Sequence, residues 1–321
     1  MQDRMQSLEA ASQVLLRQES NRLDLRFGTV DRFYDAWAYH NATHGLDVAE
    51  AAVAGAKFQV GQGKLPPEAV PLARIAGIYH DHLQTEGAET ALSPQREELS
   101  VDAAFEAMSE YNRTIGRDVF TDDDRALVEE MILATKVTGF HDGQIEQNTS
   151  VDRHIGAMMA DADLSSLGYE GVRRALMLHV EMEGRAGKIY VPPVSDGRTD
   201  VEPDRSRAAD YMKNQVALHS GQRFLLPVSS QMWPHQESNA RLMGQLESAY
   251  RGGEIGWREV IDRSGPRTAA SSGDRLLYSD STRFFAGLAP AGGPPAAGPV
   301  ERPALTAGSG AQRRQGGIER S

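Results

Sequence analysis

The sequence contains no cysteine. Disulfides, thiolate-bound zinc and a cysteine nucleophile are therefore excluded. It also lacks a run of about 18 apolar residues, so no membrane-spanning helix is expected. The opening MQDRMQSLEAASQ has no apolar centre of the kind a secretory signal needs. Together these omissions point to a soluble, cytoplasmic protein with no membrane partner. Positive charge is in deficit, with a net charge of −11. Proteins that coat nucleic acid usually carry a basic face, so that class is set aside. An anionic small molecule stays in play, because a metal and a few Arg or Lys neutralise a phosphate locally. There is no Walker-type glycine loop, no Gly-x-Gly-x-x-Gly after a strand and no Gly-x-Ser-x-Gly. ATP-driven, dinucleotide-binding and nucleophile-elbow chemistries lose their usual support.

What is present reads as helix after helix over roughly residues 1–265. Leu8, Ala11, Val14, Leu15 and Leu23 recur at helical spacing between Met5 and about Arg26. Further helices are expected at 44–58, 67–83, 93–111, from Thr121 to about Lys136, 151–166, 169–186, 203–220 and 235–263. Thr121-Asp122-Asp123-Asp124 has the composition of a helix N-cap. Strand-like alternation is scarce, and Lys188-Ile189-Tyr190-Val191 is the one short run that invites it. The expected class is all-α, one helical domain over 1–265. From 266 to 321 large apolar residues thin out, and Pro, Gly and Ala dominate from about 286. Such a segment buries too little surface to offset its ordering entropy, and a disordered tail is expected.

The chemistry-bearing pattern is His44, then His80-Asp81, then Asp163. Four of the nine histidines fall within residues 40–82. Neutral imidazole contributes a lone pair without charge, and aspartate contributes a hard anionic oxygen. Such a mixture suits a divalent cation of borderline softness. Manganese, iron, cobalt, nickel or zinc is expected ahead of magnesium. Helical bundles build internal metal sites from facing helices in this way. A water completing the coordination would serve phosphate-ester hydrolysis.

The ordered series His44, His80-Asp81, Asp163 resembles the HD-domain superfamily of metal-dependent phosphohydrolases. Tyr39-His40-Asn41-Ala42-Thr43-His44 is also similar to the first signature of the class I cyclic-nucleotide phosphodiesterases, which belong to that superfamily. Other segments look closer to the predicted metal-dependent HD phosphohydrolase branch. Arg96-Glu97-Glu98-Leu99-Ser100 is similar to its Asn-Glu-Glu-x-Ser, and Ile132-Leu133-Ala134-Thr135 to its Ile-x-Ala-Thr. Asp161-Ala162-Asp163-Leu164-Ser165-Ser166-Leu167-Gly168 matches its Asp-Ala-Asp-Leu-x-x-Leu-Gly, and the stretch from Glu237 to Glu247 resembles its terminal helix. The resemblance spans about 30–250. The phosphodiesterases carry a further His three residues after the HD aspartate. Here that position is Gln84, with His82 two residues earlier.

This resemblance implies an HD-type helical bundle with His44, His80, Asp81 and Asp163 as metal ligands. It implies a metal-dependent phosphohydrolase acting on a small phosphorylated compound, with a nucleotide as the expected substrate. His40 is then the candidate general acid, or else a residue holding a helix end; Asp81 is a candidate to orient or deprotonate the attacking water. Glu97, Glu98 and Asp161 are candidates to support the ligands from behind. The bland reading of Glu97 and Glu98 is a charged helix start, and that of Asp161 is a helix N-terminal partner. Lys136 and Arg241 are candidate phosphate binders or ordinary surface cations. Glu181 either pairs with a cation or faces water. A cyclic-nucleotide phosphodiesterase and a non-catalytic nucleotide- or partner-binding protein are the competing readings. A homo-oligomer is compatible with all three.

Overall fold

The computed structural model describes residues 2–27, 39–82, 96–141, 143–148, 151–185 and 203–265. Residues 93–95, Lys188–Val191, Trp37, Gln84 and the tail at 266–321 lie outside these. Among the described residues the chain is mostly helical, with eleven α-helices and one two-stranded sheet. None of these helices is long and apolar enough to cross a membrane.

The elements run in this order: α1 (Gln2–Phe27), α2 (Ala42–Gly61), α3 (Ala69–Tyr79), α4 (Arg96–Ile115) and α5 (Asp122–Leu133). Then come β1 (Val137–His141), β2 (Gln144–Gln147), α6 (Arg153–Asp163) and a 3₁₀ turn at Ser165–Gly168. The chain closes with α7 (Arg173–Arg185), α8 (Arg205–Gly221), α9 (Pro227–Met232), α10 (Gln236–Arg251) and α11 (Trp257–Arg263).

Local sequence explains the boundaries. Asn41 caps α2, its side-chain oxygen accepting from the Thr43 and His44 amides. Thr121 and Asp124 form a reciprocal capping box at the start of α5. Pro71 sits in the first turn of α3, where its missing N–H costs nothing. The single helix expected over 235–263 is two, because Gly252, Gly253 and Gly256 fall in the break and Gly253 takes φ 78°.

The β1–β2 hairpin overturns the expectation of an essentially strand-free body. Gly139 pairs with Glu146 and Phe140 with Ile145, with an irregularity between Val137 and Gly139. Its strands are short and half polar, so period-two alternation is faint. The signal that marks it is Asp142-Gly143, a favoured hairpin turn pair, and Gly143 indeed adopts φ 75°.

Two buried clusters hold the helices together. The first gathers Leu8 and Leu15 of α1, Leu72 and Ile75 of α3, Met108 of α4, Met131 of α5 and Met158 of α6. The second gathers Leu176 and Val180 of α7, Met212 of α8, Tyr250 of α10 and Trp257 of α11. Helix α2 packs against α1, α3 and α6 at the centre of the first. Trp233 and Trp257 are buried anchors, as expected of aromatic side chains inside a helical body.

Candidate metal centre

Three helix ends converge. His44 lies in the first turn of α2, and Asp163 closes α6. His80 and Asp81 follow α3 rather than lying within it: the helix ends at Tyr79, and His80 is its C-cap. The helix expected over 67–83 is thus shorter, Ala69–Tyr79, with His80 at its cap still in helical φ/ψ.

One glycine permits the convergence. A Cβ on Gly77 would stand 2.5 Å from the Ala49 Cα and 2.7 Å from its amide nitrogen. Only glycine lets the last turn of α3 approach the backbone of α2 so closely. The ends that carry His44 and His80 are thereby brought together, with their rings 5.2 Å apart.

His44, His80, Asp81 and Asp163 each offer an atom, and these atoms lie within 4.8 Å of one another. Opposed ligands of a six-coordinate ion at about 2.1 Å stand roughly 4.2 Å apart, so small side-chain adjustments suffice. Asp81 Oδ2 is 2.9 Å from His80 Nε2 and 3.2 Å from His44 Nε2. Asp163 Oδ1 is 3.4 Å from His80 Nε2 and 3.9 Å from His44 Nε2.

The chemistry of His80 tests whether a cation fits. Its Nδ1 donates to the Gly77 carbonyl at 2.7 Å, so in the neutral ring Nε2 bears a lone pair. That Nε2 is buried and has no hydrogen-bond partner, although two carboxylate oxygens stand nearby. Facing lone pairs require a positive charge between them, either a proton or a metal ion. Burial opposes a charged His80, yet the negative charges of the nearby Asp81 and Asp163 carboxylates raise it well above the usual imidazole range. Burial alone would raise Asp81; the His80 charge and the hydrogen bond with His44 hold it well below the carboxylate range. Burial keeps His44 lowered toward the neutral form that a ligand needs. The four residues can therefore hold a metal ion.

The surroundings orient these ligands. Gln147 of β2 donates from Nε2 to Asp163 Oδ2 at 2.7 Å, leaving Oδ1 toward the histidines. Sequence reasoning missed Gln147 because it missed the strand. Glu181 of α7, 1 % exposed, receives the Tyr39 and His40 amides on Oε2 and His40 Nδ1 on Oε1 at 2.5 Å. This fixes the His40 ring with Nε2 3.7 Å from Asp81 Oδ2. The open choice for Glu181 is thus resolved as a buried anchor for His40.

The remaining candidates separate. Asp161 turns its carboxylate to the amides of Leu225 and Leu226, each at 2.7 Å, at the start of α9. It holds that helix start and does not support the ligands, because two residues of helix rotate it about 200° from Asp163. Glu97 is buried and accepts from Arg96 Nε at 2.7 Å, whereas Glu98 pairs with Lys136 at 2.7 Å on an open surface. Arg241 stands 3.7 Å from Glu237 on the exposed side of α10, beside a groove that Phe224 and Trp233 line. His82 faces α1, with Nδ1 2.8 Å from Glu19 Oε1 and its ring stacked on Tyr79. His141 falls on β1.

No protein-family model, curated protein or solved structure matches the chain.

Proposed function

We propose that this chain is a metal-dependent phosphohydrolase of HD type, cleaving a phosphoester of a small phosphorylated compound, with a nucleotide as the favoured substrate. The observation that carries the reading is the pairing of a four-ligand His/Asp cluster with a separately anchored imidazole. The cluster supplies a cation site; the His40–Glu181 pair supplies a proton donor beside it. The order of the sequence motifs supports the HD assignment.

His44, His80, Asp81 and Asp163 would hold a divalent ion, which would supply an activated water and screen phosphate charge. The mixed nitrogen and oxygen donors favour manganese, iron, cobalt, nickel or zinc. The rest belongs to the chain. Glu181 accepts a hydrogen bond from His40 Nδ1–H, so the protonated ring presents its other N–H, on Nε2, toward the site. As the water oxygen bonds to phosphorus and the ester P–O bond breaks, His40 Nε2 gives its proton to the leaving oxygen. The proton released by the water restores His40, and the products are an alcohol and phosphate. Asp81, next to His40, helps orient that water.

The test is a screen of nucleoside mono-, di-, tri- and cyclic phosphates with manganese, cobalt, nickel and magnesium, alongside metal content. The wild type should bind one or two ions and release product. His80→Ala and Asp81→Ala should lose both while keeping their helical circular dichroism. Full turnover in either variant would refute the assignment.

A further inference from the structure

Arg174, in the first turn of α7, touches two other parts of the site. Its guanidinium pairs with Asp47 of α2, one turn past the ligand candidate His44. The guanidinium carbon also stands 5.5 Å from the centre of the Tyr169 ring, within cation–π reach. The Tyr169 hydroxyl meets Ser165 Oγ at 3.0 Å, two residues past Asp163. Seven residues further along α7, Glu181 holds His40. Seven residues make about two turns, so Arg174 and Glu181 share one face of the helix, about 10 Å apart along its axis. Helix α7 therefore grips the entry of α2 at two points, Asp47 and the Tyr39 and His40 amides.

The apolar side of α7, with Leu176 and Val180, belongs to the second buried cluster, whereas Val48 and Ala49 of α2 belong to the first. Apolar burial is non-directional and does not by itself set the rotation of α7 against α2. A guanidinium–carboxylate pair is directional, because its planar groups meet in few arrangements. This pair is also withdrawn from water, with side-chain exposures of 14 % for Arg174 and 6 % for Asp47. Desolvation cancels much of the attraction in such a pair, and apolar residues of like volume often stabilise a fold as well. Its contribution is then geometric: it fixes where α7, and with it the Glu181 carboxylate, stands against α2.

We propose that Arg174, through Asp47, is a positioning residue that aims the His40–Glu181 pair at the leaving oxygen. The inference rests on the hydrolase reading and adds to it a residue that acts through another. A proton donor works only within hydrogen-bond reach of its acceptor. A misplacement of about 1 Å costs up to about 100-fold in rate. The cost falls on a leaving oxygen that needs a proton, such as the alkoxide of a nucleotide ester, and spares one that does not, such as p-nitrophenolate. The four ligand candidates lie outside α7, so metal affinity should hold.

The principal variant combines Asp47→Leu with Arg174→Met, which nearly keeps the volume and strands no buried charge; Arg174→Lys is the conservative one. Proton NMR of each protein reads the His40 Nδ1–H, which its 2.5 Å bond to Glu181 moves far downfield, and Glu181→Gln assigns that resonance. Kinetics with manganese compare the best nucleotide of the screen with p-nitrophenyl phosphate. In the double variant the resonance should shift or vanish. Its kcat on the nucleotide should fall roughly tenfold or more, with KM and manganese affinity within about threefold of wild type. Turnover of p-nitrophenyl phosphate should change by less than about threefold. Adding Glu181→Gln should bring little further loss, since both changes disable the same proton transfer. Arg174→Lys keeps the charge but not the fork, so a smaller shift and loss are expected; it decides the matter if the double variant does not fold. An unmoved resonance in the folded variants, equal losses on both esters, or losses that multiply with Glu181→Gln would overturn the proposal. Failure of the hydrolase reading looks different: a wild type that turns over neither ester, with the resonance still displaced in the variants.

Discussion

Replacing Gly77 by alanine puts the architecture of the site to a direct test. The new methyl would stand 2.5 Å from the Ala49 Cα, 2.7 Å from the Ala49 nitrogen and 3.0 Å from the Val48 carbonyl carbon. All three are backbone atoms, so no rotamer change relieves them. Ordinary carbon contacts begin near 3.5 Å, and α3 must therefore recede from α2 by about 1 Å. Overpacking of this kind costs about 1–3 kcal/mol, offset in part by the ~0.5–1 kcal/mol that alanine gains over glycine in a helix. A net loss of about 0.5–2 kcal/mol is expected in urea denaturation. The larger effect is on the metal. A shift of about 1 Å between His44 and His80 exceeds the ~0.2 Å tolerance of metal–ligand distances, and manganese affinity should fall roughly 10–100-fold. Gly61→Ala is the internal control. Nothing lies within 4 Å of its added carbon, so it should be neutral or slightly stabilising and leave metal binding alone. If calorimetry finds wild-type manganese affinity in Gly77→Ala, the close approach of α2 and α3 does not set the site.

Gln147→Leu keeps the volume but removes the hydrogen bond to Asp163 Oδ2, and metal affinity should fall roughly tenfold; unchanged affinity in calorimetry would dismiss Gln147 as an orienting residue. Asp161→Ala strips two amides of their acceptor and should cost about 1–3 kcal/mol in chemical denaturation with metal affinity unaltered, the opposite of Asp163→Ala. Glu181→Gln should lower kcat roughly 100-fold for a nucleotide ester, whose leaving oxygen needs a proton, yet far less for p-nitrophenyl phosphate, whose leaving group needs none. Equal losses on the two substrates would mean Glu181 merely supports the fold. Burial lowers His179 from the ordinary imidazole value to about 4. Its folded pKa is depressed, so its stabilising effect is complete above about pH 6.5 and is lost as pH falls from there toward about 4. His179→Phe keeps the stacking on Tyr211 and should flatten the pH dependence of stability in that window by up to about 1.4 kcal/mol per pH unit. Parallel curves for the two proteins would contradict it.

Much of the helical order was legible because it rests on local physics. Thr121-Asp122-Asp123-Asp124 carries its own cap, and Leu8, Leu15 and Leu23 repeat at the helical period whatever they pack against. The four ligand residues were legible as types in order, since donor chemistry is a property of side chains. The convergence of those residues was not, because it depends on the contact of Gly77 with Ala49, and a glycine in a helix looks like any other until its neighbour is known. Gln147 was hidden on a half-polar strand, and Glu181 on a helix far along the chain. Asp161 and Asp163 show the limit most plainly. Two residues apart with the same side chain, they serve a helix start and a cluster that could hold a metal ion, respectively. The sequence by itself determined which donors exist and that the chain would wind into helices. The tertiary structure alone decided which carboxylate meets which imidazole, because helix rotation and backbone approach direct side chains that composition leaves equivalent.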